Sequence, residues 1–213
     1  MTLTIKLVRH GQSKANVGEV EARDVGDHTI ELTPHGHEQA RGVGRTLGAD
    51  YLGDAIVYCS PYTRTRQTLG SIIDGAGLQR DQVRVFEDPR LREVDPGYSD
   101  YEAQHERRRT HGWFYYRFDG GESPADCFDR TSSFLESLMR QVERKKKHHV
   151  LIVSHGLTIR CFVMRYLHLT VEQFDELANP GNCDVITLAE KKLLENPLWT
   201  RGRWGVVGLK RRE

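Results

Sequence analysis

The sequence has no long hydrophobic run and little excess charge. Its apolar runs fall short of the ~18 residues that a membrane-spanning helix needs, and its first residues lack the apolar stretch of a signal peptide. Lys and Arg number 31 against 30 Asp and Glu, a formal charge of +1, whereas nucleic-acid-binding domains are usually strongly basic. We therefore expect a cytoplasmic protein with neither a membrane nor a nucleic-acid partner.

Cysteine motifs are also missing. The four cysteines form no CxxC pair, the spacing that zinc ribbons use; they are Cys59, Cys127, Cys161 and Cys183. We interpret them as reduced thiols in apolar surroundings. The HxH pair at positions 35 and 37 has no Cys or carboxylate partner at a ligand spacing, so we interpret it as surface histidines and expect no metal site.

The chain length favours one domain. At about 150 residues per domain, 213 residues without a repeat or a low-complexity linker predict a single domain over 1–213. Residues 95–122 interrupt the regular pattern with a stretch rich in charge, aromatic residues and glycine. We interpret this stretch as a small helical cap inserted into the domain. Its aromatic residues 113–116 either pack the cap onto the sheet or line the mouth of a pocket.

Short apolar runs alternate with longer helix-like segments. The candidate strands are 3–8, 55–59, 83–86, 150–153, 185–188 and 205–209. Thr33, Ser60 and Ser123 each precede a proline, the pattern of an N-cap followed by proline at the first helical position. Strands separated by helices predict an α/β fold, a three-layer αβα sandwich with a mainly parallel central sheet. The C-terminal tail from residue 199 is expected to add a final strand at a sheet edge.

Two candidate strands end in the same kind of sequence. Arg9, His10 and Gly11 follow the first strand, and His155 and Gly156 follow the fourth. Ligands bind at the carboxyl edge of parallel α/β sheets, and glycine allows a sharp turn or a close approach to a ligand there. The two His-Gly pairs therefore predict one shared site.

Two further charged residues are expected at this edge. Arg64 falls in the first turn after the second strand, where a bound anion would offset the unfavourable placement of a cation near a helix N-terminus. Glu93 follows the third strand at the start of the insertion. Arginine binds phosphate oxygens in pairs, neutral histidine can act as a nucleophile, and a carboxylic acid can protonate a leaving alkoxide. The set suits phosphoryl transfer without a metal.

At this point the sequence resembles the histidine phosphatase superfamily, which includes the cofactor-dependent phosphoglycerate mutases. The resemblance covers residues 3 to about 188, and the motifs occur in the family's order. They are RHGxxxxN at 9–16, LTxxGxxQA at 32–40, SPxxRxxQT at 60–68, LxExxxG at 91–97, GGES at 120–123 with the following Arg130, and SHG at 154–156.

The resemblance implies a role for each matched residue. His10 would be the nucleophile that forms a phosphohistidine, and Arg9, Arg64 and His155 would hold the phosphoryl oxygens. Glu93 would protonate the leaving group and then activate water.

Further phosphate contacts follow from the same resemblance. Asn16 would contribute its side-chain amide, Gly156 its backbone N–H, and Ser13 a further donor. Glu122 lies in a family motif and is a candidate phosphate-binding residue, and we favour a structural or pocket-lining role for it over a catalytic one. Separately, we expect an oligomer, with a dimer favoured, although no motif in the sequence specifies the oligomeric state.

The resulting hypothesis is a phosphomonoesterase without a cofactor that hydrolyses small phosphorylated metabolites, of one kind or a broad range, and releases inorganic phosphate. The tryptophan-containing stretch that follows the first motif in the mutases is replaced here by the acidic run 19–24, and the insertion is short. A short, open cap favours water as acceptor. Two alternatives stay open: phosphoglycerate mutase-type transfer to another hydroxyl, and a non-catalytic module that binds a phosphorylated ligand.

Overall fold

The structure is a computed structural model that describes residues 2–97 and 101–212. The strands are β1 (Thr4–Arg9), β2 (Ile56–Cys59), β3 (Val85–Glu87), β4 (His149–Ser154), β5 (Val185–Glu190), β6 (Trp199–Arg201) and β7 (Trp204–Val207). The helices are α1 (Ala22–Val25), α2 (Pro34–Asp54), α3 (Thr63–Gly75), α4 (Tyr101–His111), α5 (Pro124–Lys145), α6 (Gly156–Leu167) and α7 (Val171–Asp175).

The strands form one mixed sheet in the order β3-β2-β4-β1-β5-β7-β6. The four strands β1 to β4 pair in parallel, whereas β5 runs antiparallel to β1. Strand β7 pairs antiparallel with both β5 and β6. The predicted α/β fold with a parallel core is thus confirmed. Because β5 runs against β1, the chain that leads into β5 lies at the edge where β1 ends.

Helices cover both faces of the sheet because buried side chains alternate along the central strands. Leu7 of β1 packs in a cluster with Phe134 of α5 and Phe162 of α6. Its neighbour Val8 packs in a second cluster, with Ile72 of α3. Strand β4 is buried on both faces from the second residue onward, as its continuous apolar run predicts.

Two of the three predicted N-caps are confirmed. Thr33 accepts a hydrogen bond from the backbone N–H of Gly36 at 3.0 Å, and Ser123 closes a capping box at the start of α5. The prediction for Ser60 is wrong, because α3 begins at Thr63 and its N-cap position carries no side-chain cap. The Ser60 hydroxyl instead lies against a histidine of the site described below.

The predicted cap contains helix α4; residues 98–100 of the insertion lie outside the described residues. Phe114 is buried and packs edge-to-face on Phe174 of α7, with ring centroids 5.2 Å apart, which favours packing over pocket lining for this ring. The tail forms β6 and β7, so the predicted edge strand is present. Within residues 2–97 and 101–212, every helix is too short or too polar to cross a bilayer. The four cysteines are buried free thiols.

Candidate active site

The carboxyl ends of β1, β2 and β4 meet at one edge of the sheet because the three strands are parallel. The backbone N–H of His10 donates to the Ser154 carbonyl at 3.0 Å, which fixes the end of β1 against the end of β4. His155 follows Ser154 directly, and the His10 and His155 rings lie 5.3 Å apart between centroids. Sheet pairing therefore brings together two histidines that are 145 positions apart in the chain.

One hydrogen bond determines which nitrogen of His10 is available. His10 is 5% exposed, and its Nδ1 lies 2.9 Å from the carbonyl oxygen of Gly11. A carbonyl oxygen only accepts, so Nδ1 carries the proton and donates it. The lone pair of the neutral ring is then on Nε2, the atom that can attack an electrophile.

The pKa of His10 is lowered to about 3. Burial is the largest cause, followed by the positive charge of Arg64, while the hydrogen bond to Gly11 acts in the opposite direction and Arg9 adds a smaller lowering. Repulsion from the two arginines is therefore a smaller cause of the lowered pKa than desolvation. His10 is neutral at physiological pH, as a nucleophile must be.

His155 is fully buried, and only one of its two ring nitrogens has a hydrogen-bond partner within the described residues. Its Nε2 lies 2.9 Å from the Ser60 hydroxyl, whereas its Nδ1 has no hydrogen-bond partner among the residues that the structure describes. Burial, then the charge of Arg64, lowers the pKa of His155 well below the ordinary histidine value. A buried polar nitrogen without a partner is costly, and a ligand oxygen would remove that cost.

Arg9 presents a second buried donor of the same kind. Its Nη1 donates to the Pro180 carbonyl at 2.6 Å, but its Nε is buried and unpartnered within the described ranges. A Cβ on Gly156 would lie 3.7 Å from that Nε, so the start of α6 and the Arg9 guanidinium are neighbours. Burial lowers the pKa of Arg9, and the nearby carboxylate of Glu93 opposes that shift.

Arg64 enters the site from the first turn of α3. Its side chain is buried, and Tyr62 packs beneath it with the guanidinium carbon 5.0 Å from the ring centroid. Two of its guanidinium nitrogens donate to Asp27, a residue of the segment between β1 and α2. Arg64 is also the charge that most strongly lowers the pKa of both His10 and His155, so it lies close to both rings.

Glu93 is held at the N-terminus of α6. Its carboxylate accepts hydrogen bonds from the backbone N–H groups of Leu157 and Thr158 at 3.3 Å and from that of Val94 at 3.0 Å. The Thr158 hydroxyl lies 3.2 Å from the same carboxylate. A helix N-terminus is a favourable place for a carboxylate, and these contacts hold the Glu93 side chain at the edge that carries His155.

Ser13 and Asn16 form a small turn after His10. Each residue caps the other: the Ser13 N–H donates to the Asn16 side-chain oxygen at 3.0 Å, and the Asn16 N–H donates to the Ser13 hydroxyl at 3.4 Å. Asn182, which precedes β5, donates to the His10 carbonyl at 3.0 Å and to the Asn16 side-chain oxygen at 3.1 Å. The Asn16 oxygen is thus occupied, and its amide nitrogen is the atom that remains to donate to a ligand.

The loop after β1 is fixed by close backbone contact. A Cβ on Gly11 would lie 2.5 Å from the Gly36 carbonyl oxygen, and a Cβ on Gly36 would collide with the Gln12 backbone. The Gly11 N–H donates to the Thr68 hydroxyl at 3.0 Å, and the Gln12 N–H donates to a glutamine of α2. Several motif residues outside the phosphate contacts therefore hold His10 in place.

The Glu122 carboxylate accepts hydrogen bonds from two arginines. Arg92 donates to one carboxylate oxygen, and Arg130 donates to both at 3.2 Å. Arg130 also donates to the Arg90 carbonyl at 2.7 Å. The Glu122 cluster thus ties the base of the cap to α5 and to the segment that carries Glu93, and a phosphate contact by Glu122 stays a prediction.

The structure therefore gathers Arg9, His10, Arg64, Glu93 and His155 at one sheet edge. Gly156 forms the start of α6 beside them, and Ser13 and Asn16 form the adjoining turn.

The sequence reasoning assigned no site role to several residues that make polar contacts in the site, three of which are described here. Asp27 pairs with Arg64, Ser60 contacts His155, and Asn182 links the turn to the His10 carbonyl. Only Ser60 carried a signal, as part of the SPxxR motif. The other two are brought to the site by a loop and by an antiparallel strand.

Comparison with known proteins identifies the family of this site. A sequence profile described as "Histidine phosphatase superfamily (branch 1)" matches residues 5–193. The chain belongs to the histidine phosphatase superfamily.

Several similar proteins carry the names either of phosphoglycerate mutases or of phosphatases. The chain is 41% identical over 202 residues to "Phosphoglycerate mutase-like protein AT74" of Arabidopsis thaliana, a match that covers 85% of this chain and 63% of the relative, so the chain spans less than two thirds of that protein. It is 27% identical to "Broad-range acid phosphatase DET1" of Saccharomyces cerevisiae, over 86% and 84% of the two chains. It is 31% identical to a "2,3-bisphosphoglycerate-dependent phosphoglycerate mutase" of Brucella anthropi, over 92% and 100%.

Solved structures agree on the fold. A mycobacterial glucosyl-3-phosphoglycerate phosphatase superposes with a TM-score of 0.72 over 97% of both chains, at 23% sequence identity. At that identity the likeness establishes the histidine phosphatase fold and nothing finer.

Proposed function

We propose that this histidine phosphatase superfamily member hydrolyses phosphomonoesters of small molecules through a phosphohistidine on His10, with no metal or cofactor. The observation that carries the proposal is the state of His10. Its ring is buried and neutral, and its proton is held on Nδ1 by the Gly11 carbonyl, so Nε2 presents a lone pair at the sheet edge.

The reaction has two balanced steps. His10 Nε2 attacks phosphorus, the P–N bond forms, the bond to the ester oxygen breaks, and protonated Glu93 gives its proton to the leaving alkoxide. Water then attacks phosphorus as Glu93 takes its proton, the P–N bond breaks, and inorganic phosphate leaves with His10 neutral again. Glu93 is protonated again at the end of the cycle.

Donors around His10 match the charge that a phosphoryl group carries. In transfer, that charge spreads over three equatorial oxygens. Arg9 Nε and His155 Nδ1 are buried and lack partners within the described residues. The Ser60 oxygen accepts from the Tyr62 N–H, so we assign its hydroxyl proton to His155 Nε2 and the ring proton of His155 to Nδ1. Arg64 and the Asn16 amide nitrogen lie around the same edge. Donors fixed before the ligand arrives stabilise a developing anion without reorganisation.

The site and the names of the relatives support the proposed class of substrate. Within the described residues the donors around His10 address a phosphoryl group, and we propose small phosphorylated metabolites as substrates, of one kind or a broad range. The names of a broad-range acid phosphatase and a glucosyl-3-phosphoglycerate phosphatase among the similar proteins support hydrolysis. The mutase relative supports the second candidate, transfer to another hydroxyl. A homodimer and a cytoplasmic location remain predictions, the first of which light scattering after gel filtration tests.

The test measures hydrolysis of an aryl phosphate from pH 4 to 8 in the presence of a chelator. Wild type is compared with His10→Ala and with His35→Ala, which removes an exposed histidine of the α2 first turn. We expect chelator-resistant turnover that only His10→Ala abolishes. A quench in alkaline detergent with ³²P-labelled substrate should trap label on wild type and none on His10→Ala, because the P–N bond of a phosphohistidine survives alkali and is hydrolysed in acid.

Two results would favour one of the alternative functions over hydrolysis. Phosphate release that appears only with phosphoglycerate and is replaced by isomerisation when bisphosphoglycerate is added would assign the mutase reaction. Phosphate binding with no turnover on any ester would indicate a binding module. The combination of a nucleophile with a carboxylic acid argues against that last outcome, because binding alone requires neither.

A further inference from the structure

Arg64 has a partner that none of the sequence motifs includes. Asp27 lies in the segment between β1 and α2, three residues beyond the acidic run 19–24. Its side chain is 32% exposed, whereas the Arg64 side chain is 6% exposed. The pair joins the segment between β1 and α2 to a buried cation whose charge acts on both histidines.

The contacts occupy a defined part of the guanidinium. Arg64 Nη1 donates to the Asp27 backbone carbonyl at 2.6 Å and to Oδ1 at 2.9 Å, and Nη2 donates to Oδ2 at 3.1 Å. Arginine carries five N–H donors in a rigid plane, two on each Nη and one on Nε. Asp27 therefore takes three of the five, both from Nη1 and one from Nη2.

Within the described residues two donors of Arg64 remain, and they lie on one edge of the guanidinium. They are the Nε–H and the second N–H of Nη2, which point in the same direction and form the side-on fork of the guanidinium. This fork matches two oxygens of a phosphoryl group. The end-on pairing with Asp27 thus leaves free the edge that binds an anion bidentately.

The rest of the surroundings fix the plane of the group. Tyr62 packs against one face of Arg64 with 5.0 Å from ring centroid to guanidinium carbon, and the Tyr62 and His155 rings lie 5.1 Å apart. The guanidinium is thus held from its end by Asp27 and from its face by Tyr62. With both constraints it has little freedom to rotate away from the histidines.

From this geometry we infer that Asp27 is a positioning residue that holds Arg64 end-on, so that the side-on fork of Arg64 is preset for the phosphoryl group. The inference rests on the proposed function and names the device that orients its phosphate clamp. Asp27 stays on Arg64 throughout turnover and itself touches neither substrate nor product.

A double-mutant cycle tests the inference. Asp27→Ala is made in wild type and in Arg64→Ala, with Asp24→Ala as the matched control, since Asp24 is an exposed acid of the same segment. We expect Asp27→Ala to lower kcat/KM for an aryl phosphate about 10-fold in wild type and less than about 2-fold in Arg64→Ala, because coupled residues are non-additive. Asp24→Ala should change kcat/KM less than about 2-fold. Equal losses in the two backgrounds would overturn the inference and assign Asp27 to the folding of the loop.

Binding of inorganic phosphate provides a readout that does not depend on turnover. By calorimetry, Asp27→Ala should bind phosphate about 10-fold more weakly than wild type, and Asp24→Ala about as well as wild type. Tighter binding by Asp27→Ala would mean that the carboxylate competes with phosphate for Arg64 and would overturn the inference. Asp27→Asn, which keeps one acceptor oxygen, replaces Asp27→Ala in every arm if circular dichroism shows that the alanine variant is unfolded.

The two proposals fail in different ways. A wild type that binds phosphate but hydrolyses no ester would refute the proposed hydrolysis, while the phosphate affinities of the Asp27 variants would still decide the inference. Turnover that His10→Ala abolishes and Asp27→Ala leaves intact would refute the positioning role alone.

Discussion

Replacing His10 should change how the stability of the protein depends on pH. The folded protein holds the His10 pKa at about 3, against an ordinary value of 6.5. Between these two values the unfolded chain binds a proton that the native ring does not, so stability rises with pH across this window. The contribution of His10 is fully present above pH 6.5 and is lost as the pH falls toward 3.

The magnitude at an accessible pH follows from the linkage relation. At pH 5, which is 1.5 units below the ordinary histidine pKa of 6.5, His10 is protonated in the unfolded chain while the native ring is still neutral. Each pH unit of this difference corresponds to about 1.36 kcal/mol. Wild type should therefore lose about 2 kcal/mol through His10 between pH 7.5 and pH 5. His10→Asn keeps a side-chain donor for the Gly11 carbonyl and has no group that titrates in this range.

The assay is urea unfolding in phosphate-free buffer at pH 5 and pH 7.5. The difference in unfolding free energy between the two pH values should be smaller in His10→Asn by about 2 kcal/mol than in wild type. His155 is present in both proteins, so its own contribution cancels to first order. His35→Asn, at an exposed position, should behave as wild type. The same pH dependence in wild type and His10→Asn would show that the native ring takes up a proton, and the neutral-nucleophile argument would fail.

Three further predictions address the acid, the loop and the second histidine. Glu93→Gln should lower kcat/KM by about 10²–10⁴ for an alkyl phosphate and much less for an activated aryl phosphate, whose leaving group needs no proton; equal losses would contradict the acid role. Gly11→Ala should cost about 1–3 kcal/mol by chemical denaturation because its Cβ meets the Gly36 carbonyl. Gly70→Ala, in α3 with open space around the new Cβ, should stabilise the protein by up to about 1 kcal/mol. A Gly11→Ala variant more stable than Gly70→Ala would refute this reasoning. Ser60→Ala removes the partner of a buried His155 nitrogen and should cost about 1–3 kcal/mol in thermal unfolding, whereas an unchanged melting temperature would show that water replaces the hydroxyl.

Local sequence patterns predicted much of the secondary structure. Strand β4 is a continuous apolar run in the sequence because both of its faces are buried. The start of α2 was predictable from Thr33 and Pro34 because the Thr33 side chain accepts a hydrogen bond from a free N–H of the first helical turn. The same pattern failed at Ser60, where a tertiary contact with His155 takes the hydroxyl. An N-cap motif indicates which hydrogen bonds a serine can make, and the tertiary structure determines which of them it makes.

The sequence by itself determined the chemistry that gathers at the sheet edge. Strands that end in Arg-His-Gly and Ser-His-Gly lead to a common edge once the strands are parallel, because the carboxyl ends of parallel strands point the same way. Arg64 and Glu93 follow other strands of the same parallel set, so their arrival at this edge was predictable as well.

Only the tertiary structure decided which atoms of these residues are available. The proton of His10 sits on Nδ1 because the Gly11 carbonyl is 2.9 Å away, and its pKa falls chiefly because the fold buries the ring. Asn182 reaches His10 because β5 runs antiparallel to β1 and so begins where β1 ends. Asp27 pairs with one end of the Arg64 guanidinium, and no spacing in the sequence predicts this contact. Hydrogen-bond direction and burial depend on neighbours that are distant in the chain, so only the tertiary structure shows them.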